Sequence, residues 1–494
     1  MIRTAENNLP SRRAVEAAGY TQVDLSDGMV EYRKYESGKA MTTENTAKNI
    51  WLHVGVGNFH RAHQARYFED LKNSDWALVG GNIRNDMEYV IEGLNTQGHY
   101  TLETVSPQGE RTYERISSIS RAIAWEPGLE ALISTAADPQ TKVIAFTVTE
   151  AGYYVDNAGA LMLDDPAIAG DLKGECNTIF GFITKALERR AQLPGEQGKV
   201  TLVSCDNLRH NSQVFSTCLE QFLAAAGKAE LSAWIAEHTT APMTMVDRIT
   251  PRTTEEVLAR VEEATGEKDL IPVMSETFIQ WVIEDNFKNG IRPPLETVGA
   301  EMVESVIPYE EAKIRILNAP HAAIAWSGSL KGKEYIHESV ALPEVRALAY
   351  DYVTEDVIPS LADQGEIIDF AAYRDVVLER FANSYIKDTN QRVSADGFSK
   401  IPGQILPTLL QCYERGQEPR ATAKVVAAFY RFIEASAKGE LPFDYFDGAV
   451  SHEHIVGIFN TPDPLATFLG STALFGELAG DEKFSALLGE MLKD

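Results

Sequence analysis

Cysteine is scarce. The chain of 494 residues has four, Cys176, Cys205, Cys218 and Cys412, and none belongs to a C-x-x-C pair. That spacing argues against a structural zinc site, and the low count suits a reducing compartment. Long apolar runs are missing too. No stretch reaches the roughly 18 apolar residues that a membrane helix needs. The opening MIRTAENNLPSRRAVEAAG lacks the apolar centre of a secretory leader. Positive charge is in deficit: 45 Lys and Arg stand against 72 Asp and Glu, a formal net charge of -27. Such a field disfavours nucleic acid and anionic membrane as partners. These absences lead us to expect a cytoplasmic protein that handles small molecules.

What is present is an ordinary globular balance, 44% apolar and 24% charged, in a chain long enough for two or three domains. Residues 1–48 are polar and show no clear strand pattern. They read as an N-terminal extension, with room for a short helix around Arg12–Ala18. From residue 49 the texture changes. NIWLHVGVG (49–57), WALVGGNI (76–83), KVIAFTV (142–148) and KVTLVSC (199–205) are apolar runs of buried-strand length. Helical patterns such as AIAGDLKGECNTIFGFITKALERR (167–190) separate some of them. Strands alternating with helices predict a parallel sheet covered on both faces. After about residue 304, helical spacing prevails. The predicted plan is α/β: an extension (1–48), a Rossmann-type dinucleotide domain (49–303) and a mainly α-helical domain (304–494).

The first strand ends in Gly55 and Gly57, and a helix pattern follows. Two glycines at a strand-to-helix junction allow a tight turn and close approach by a pyrophosphate. Gly55, Gly57, Asn58, Phe59, His60 and Arg61 are therefore candidate cofactor contacts. His60 stands where a third glycine is usual, so a plain glycine turn is the alternative. After the second strand, GGNIRND (80–86) offers Asp86 to the adenosine ribose hydroxyls. Its charge would favour NAD over NADP, whereas Arg84 nearby could accept a phosphate.

PYEEAKIRILNAPHAAIAW (308–326) holds Lys313, Asn318 and His321. At about 100° per residue, Asn318 lies about 140° and His321 about 80° around a helix from Lys313, so the three could share one broad face. Alcohol oxidation needs a base for the hydroxyl proton, and a desolvated lysine can serve. Asparagine and histidine could donate to the oxygen as charge develops. The ordinary alternative is a surface lysine, a helix-ending asparagine and a satisfied histidine. Pro320 removes a backbone donor and is expected to bend the helix. Tyr309 and Lys313 form a Y-x-x-x-K spacing that falls too far from the glycine turn to be more than coincidence.

Six stretches in order, GVGNFHRAHQ (55–64), FTVTEAGYY (146–154), SCDNLRHN (204–211), MVDRITPR (245–252), PYEEAKIRILNAPH (308–321) and QRVSADGFSK (391–400), resemble the mannitol dehydrogenase family of polyol-specific long-chain dehydrogenases. The resemblance implies metal-independent hydride transfer between NAD and a sugar alcohol, in a cleft between a Rossmann domain and a helical one. It implies Lys313 as general base, with Asn318, His321 and Asn207 around the reacting oxygen. Asp247, Arg392 and Lys400 would reach the rest of the polyol, and Glu310 would pass the proton to solvent. GNIRND, YTLETVSP and TNQRVSADGFSKIP resemble a branch that acts on D-arabinitol, giving D-xylulose. Mannitol, another hexitol or a uronate-type compound is the alternative substrate, and a non-catalytic NAD-binding protein the alternative class. A small residue, often serine, is usual in the family where this chain has Pro320. A monomer or small homo-oligomer is expected.

Overall fold

A computed structural model of the chain describes residues 2–5, 21–26, 29–33, 49–71, 74–156, 159–362 and 368–493. It divides into two compact units. The first comprises Met1–Thr104 and Arg111–Val306, and the second Val105–Glu110 and Ile307–Asp494.

Near the N-terminus, β1 (Ile2–Ala5), β2 (Thr21–Ser26) and β3 (Met29–Arg33) form an antiparallel sheet in the order β1-β3-β2. These strands lie where the sequence shows no strand pattern. The region considered for a short helix, 12–18, lies outside the described residues. The following strands are β4 (Asn49–Val54), β5 (Trp76–Gly81), β6 (Tyr100–Val105), β7 (Arg111–Ile116), β8 (Ile119–Ile123), β9 (Thr141–Phe146) and β10 (Val200–Ser204). Then come β11 (Thr239–Thr240), β12 (Thr244–Asp247), β13 (Val273–Glu276), β14 (Gln280–Glu284) and β15 (Glu301–Val303).

The main sheet of unit 1 runs β11-β10-β9-β4-β5-β8, with every neighbouring pair parallel. Counted along the chain, this is the 3-2-1-4-5-6 order of doubly wound dinucleotide-binding folds. The strand order reverses between β4 and β9, the place where such sheets bind ligands. Alternation along β4 explains the layering. Ile50, Leu52 and Val54 enter one buried cluster, while Trp51 enters another with Val143, Ala145 and Val203. Successive strand side chains point to opposite faces, so a sheet covered on both sides needs two cores. Two three-stranded sheets, β12-β14-β15 and β13-β6-β7, complete the unit.

The main body of unit 2, Ile307–Asp494, is helical among its described residues. Its core includes Trp326 of Ala319–Leu330 and Phe429 of Arg420–Ala437, whose rings lie 4.7 Å apart. No helix among the described residues is long and apolar enough to cross a membrane.

Candidate active site

In unit 1 the glycine turn is stitched to the strand ends on either side of it. Gly55 has φ +104°, and a Cβ there would fall on the Thr147 carbonyl. Its amide donates to the Gly81 carbonyl at the end of β5 (2.8 Å). Thr147, just past β9, donates from Oγ1 to the Gly55 carbonyl (2.7 Å) and from its amide to Val54 (2.9 Å). The Asn82 side chain accepts from the Val56 amide (2.8 Å). Gly57 differs. Its φ of -79° suits any residue, and a Cβ would meet nothing within 4 Å. The backbone at Gly57 therefore borders open space at the switch point of the sheet.

The residues after Gly57 divide by role. The Asn58 Oδ1 accepts from Arg61 (2.8 Å), and its amide approaches Thr253 (3.3 Å). Phe59 stacks on His63 at 5.0 Å. The Arg61 guanidinium is buried and also donates to the Ile271 carbonyl. His60 is fully buried and stacks on His53 at 3.6 Å; burial lowers its pKa to about 3. The His60 and Arg61 side chains, expected at a cofactor, thus hold the turn from inside. The third glycine's place is filled by a packing residue.

Asp86 lies five residues past β5 and lines an open concavity of about 740 Å³ with Arg84, Trp125 and Tyr154. Asn207 follows β10 and is exposed. The preceding Asp206, not singled out by the sequence, ties this loop to the one after β9. It accepts from the amides of Val148 (3.1 Å) and Thr149 (2.8 Å) and from the Tyr153 hydroxyl (2.9 Å). Thr149 sits at φ +64°, a strained conformation that these bonds hold in place. Burial raises the Asp206 carboxyl to about 6, against the pull of those donors. Asp247 is buried at the end of β12, opposite Gln280.

In unit 2 one helical run carries the central residues. It is α-helical over Ile307–Ala312, π-helical over Lys313–Asn318 and α-helical again over Ala319–Leu330. The π stretch changes the sequence geometry. Positions i and i+5 are bonded in a π-helix, so Asn318 lies one turn above Lys313 rather than about 140° away. His321, three residues further in α-helix, is the next neighbour on that face. Lys313 and Glu310 are buried and Asn318 is half-buried.

Pro320 does not end the helix. Two more π stretches, Tyr352–Val357 and Ile401–Ile405, also stop two residues before a proline, Pro359 and Pro407. Proline lacks an N–H and excludes the carbonyl four residues back; a widened turn upstream accommodates both. Buried Arg315, inside the first π stretch, joins these segments. It pairs with Glu311 (3.0 Å) and donates to Ser360 (3.2 Å) and Gln411 (2.7 Å).

His321 Nε2 lies 3.3 Å from Asp388 Oδ2, and the ring stacks on Phe381 at 4.5 Å. Arg392 donates to both Asp388 oxygens, Nε to Oδ1 (2.7 Å) and Nη2 to Oδ2 (2.6 Å). Burial alone would raise the Asp388 carboxyl, but the neighbouring His321 imidazole and the hydrogen bonds from Arg392 prevail and hold it low. Lys400 donates to the Val393 carbonyl (2.7 Å), and burial lowers its pKa to about 8. The Trp326 indole donates to Ser394 (3.2 Å), fastening this loop to the His321 helix.

A family model described as the mannitol dehydrogenase Rossmann domain matches residues 49–297, and one described as the mannitol dehydrogenase C-terminal domain matches residues 305–493. The chain belongs to the mannitol dehydrogenase family. Among curated members it is 53% identical to a D-arabinitol 4-dehydrogenase of Klebsiella pneumoniae, covering 89% of this chain and 96% of that one. It is 50% identical to a D-arabinitol 4-dehydrogenase of Ralstonia nicotianae, covering 89% and 95%. Among solved structures it is similar to the Pseudomonas fluorescens mannitol 2-dehydrogenase in ternary complex with NAD and D-mannitol. That match has 34% identity and TM-score 0.77, covering 91% of this chain and 92% of that one.

For this member of the mannitol dehydrogenase family, the structure brings Lys313, Asn318 and His321 onto one helix face and gathers Arg392 and Lys400 around His321. The Gly55–Arg61 turn, Asp86, Asn207 and Asp247 occupy the first unit. Sequence reasoning missed Asp388, whose only signal is its place just before the Thr389–Lys400 stretch. It also missed Asp206, whose signal is its place before Asn207.

Proposed function

We propose that this chain oxidises a sugar alcohol to its ketose with NAD, most specifically D-arabinitol to D-xylulose, using Lys313 as general base and no metal. The observation that carries the reading is the π turn that stacks Asn318 over a buried Lys313 with His321 next on the same face. A base, an amide donor and an imidazole in sequence suit a carbinol that loses a proton while a hydride leaves its carbon. The relatives named D-arabinitol 4-dehydrogenase support the pentitol as substrate.

The glycine turn fits a dinucleotide. Its backbone borders open space at Gly57, and the carboxylate of Asp86, five residues past β5, is the group proposed for the ribose hydroxyls. When bound, NAD supplies the hydride acceptor. The chain's own residues do the rest. Lys313 takes the hydroxyl proton, and buried Glu310, one turn earlier, passes it towards solvent. Asn318 and Asn207 donate amide hydrogens to the oxygen as its charge grows. Asp247, Arg392 and Lys400 pair with the remaining hydroxyls. A missing partner there leaves a buried polar group at about 1–3 kcal/mol, which is how such a site selects configuration.

The test is a panel of polyols with NAD and with NADP, followed by absorbance of the reduced dinucleotide. D-arabinitol with NAD is expected to give the highest kcat/KM. Mannitol ahead by about tenfold would move the substrate and keep the chemistry. Dinucleotide binding with no turnover on any polyol would replace the enzyme by a binding protein.

A further inference from the structure

Thr149 holds a backbone conformation that suits glycine. Its φ of +64° and ψ of 166° lie in a region where a Cβ is crowded and side chains are rarely found. Such strain persists only where the surroundings over-determine it. Here they do. Buried Asp206 accepts from the amides of Thr149 (2.8 Å) and Val148 (3.1 Å). That carboxylate also accepts from the Tyr153 hydroxyl (2.9 Å), which meets Ser204 Oγ as well (2.5 Å). The Thr149 carbonyl accepts from the Gly152 amide (3.0 Å). Tyr154, where the segment ends, sits at φ +51° and ψ 43°, so both ends of Thr149–Tyr154 are left-handed.

Packing does not account for a threonine at this position. The residue is exposed, and its hydroxyl bonds to no described residue. A glycine would relieve the strain and give up no hydrogen bond within the described protein. The side chain therefore points to a ligand, and its place in the fold says which. Thr149 is two residues past Thr147, whose hydroxyl holds the Gly55 carbonyl (2.7 Å). It follows β9, which opens the second half of the main sheet, β9-β10-β11, across the strand-order reversal from β4. A doubly wound sheet takes one nucleotide of a dinucleotide on each half. The first half carries the glycine turn and Asp86, so the nicotinamide nucleotide falls to the second. Tyr154, at the other strained end, lines the concavity of Asp86, so the segment borders both halves. A ribose offers hydroxyls, and a threonine hydroxyl can donate to them and accept from them.

We infer that Thr149 is a cofactor-binding residue whose hydroxyl meets a ribose hydroxyl on the nicotinamide side of NAD, and that its strained backbone is tolerated because it presents that hydroxyl. The inference rests on the reading that NAD lies on the glycine turn. Stability and cofactor affinity then pull in opposite directions at this one residue.

The experiment is calorimetric titration of the full-length protein with NAD and with ADP, together with thermal unfolding, for the unaltered chain, Thr149→Gly and Thr149→Ser. ADP carries the adenosine and the pyrophosphate but no second ribose. In Thr149→Gly the melting temperature should rise by about 2 °C as the strain is relieved. Its Kd for NAD should nevertheless rise about five- to tenfold, as for one lost hydrogen bond, with the Kd for ADP unchanged. Thr149→Ser keeps the hydroxyl and should bind NAD as the unaltered protein does. A purely structural role would instead lower the melting temperature and weaken both ligands together, which would overturn the inference. An equal loss of ADP affinity in Thr149→Gly would overturn it too, by moving the contact to the other nucleotide. If NAD binds equally to all three proteins, Thr149 drops out and the glycine turn keeps its role. If the unaltered protein binds neither ligand, the glycine turn is not the dinucleotide site and the inference falls with it.

Discussion

The two units place their functional groups by opposite means. In unit 1 the glycine turn is mainly backbone: Gly55 and Gly57 matter for what they lack, and the side chains of His60 and Arg61 serve from inside. In unit 2 the run Ile307–Leu330 is continuous helix, and its pitch decides which of the candidate side chains come together. A site made of backbone fails when a Cβ is added. A site made of side chains fails when one is removed, or when the helix winds differently.

Removing a side chain should have the largest effect. Lys313→Ala should lower turnover by about 10²–10⁴-fold, as loss of a general base does, with dinucleotide affinity little changed. Steady-state kinetics and a separate binding titration would check both halves. Unaltered turnover would take the lysine out of the chemistry.

Adding a methyl group should separate the two glycines. Gly55→Ala forces a side chain into φ +104° and onto the Thr147 carbonyl, and should destabilise unit 1 by about 3 kcal/mol or more. Gly57→Ala meets no atom and needs no unusual φ, so thermal unfolding should barely change. On the proposed reading the methyl would crowd the pyrophosphate, so NAD should bind more weakly. Equal melting losses in both variants would show that Gly57 is as constrained as Gly55, and unchanged NAD affinity in Gly57→Ala would take its backbone out of the dinucleotide site.

The same contrast explains what could be read in advance. The apolar runs at 49–57, 76–83, 142–148 and 199–205 announce buried parallel strands because both faces of such a sheet are covered. Gly55 is legible because its φ excludes other residues. The π pitch is not, since angles counted at 100° per residue set Asn318 well away from Lys313. Its only trace is a proline two residues beyond each widened turn, Pro320, Pro359 and Pro407. Read alone, Pro320 suggests damage, whereas in the fold it follows a turn that accommodates it. Asp388 and Asp206 were hidden for another reason. Each acts through a neighbour, and a carboxylate that holds another residue carries no spacing of its own. The N-terminal strands were hidden by polar composition, because a short antiparallel sheet needs little apolar alternation to close its hydrogen bonds.

Buried titratable groups give a third, smaller test. His60 is held near a pKa of about 3 by burial, so below pH 6.5 the unfolded chain takes up a proton that the fold refuses. Stability should therefore fall as pH drops, by up to about 1.4 kcal/mol per pH unit for this residue. His53, also lowered by burial, adds in the same direction. Asp206 opposes them. Its carboxyl is raised to about 6, so the fold binds a proton more readily than the unfolded chain between about pH 4 and 6, and stability rises there as pH falls. Denaturant unfolding at pH 7 and pH 5 should show a steeper acid loss in Asp206→Asn than in the unaltered protein, by about 1 kcal/mol. An equal loss in both would mean that Asp206 is ionised throughout.

The smallest effect concerns cofactor choice, where the backbone site meets a side-chain decision. Asp86 and Arg84 line the same concavity two residues apart, with opposite consequences for a 2′-phosphate. The Arg84 guanidinium approaches the Tyr154 hydroxyl (3.3 Å), which leaves it exposed and able to turn towards an anion. If Asp86 meets the ribose as proposed, Asp86→Ala removes both that hydrogen bond and the repulsion of a phosphate. NAD should bind less tightly and NADP more tightly, so the ratio of their kcat/KM values should narrow while kcat with NAD changes little. Arg84→Ala in the same background should reopen the ratio, because the cation that would receive the phosphate is gone. If neither substitution moves the ratio, cofactor choice is made elsewhere in unit 1, and the turn at Gly57 contributes affinity without discrimination.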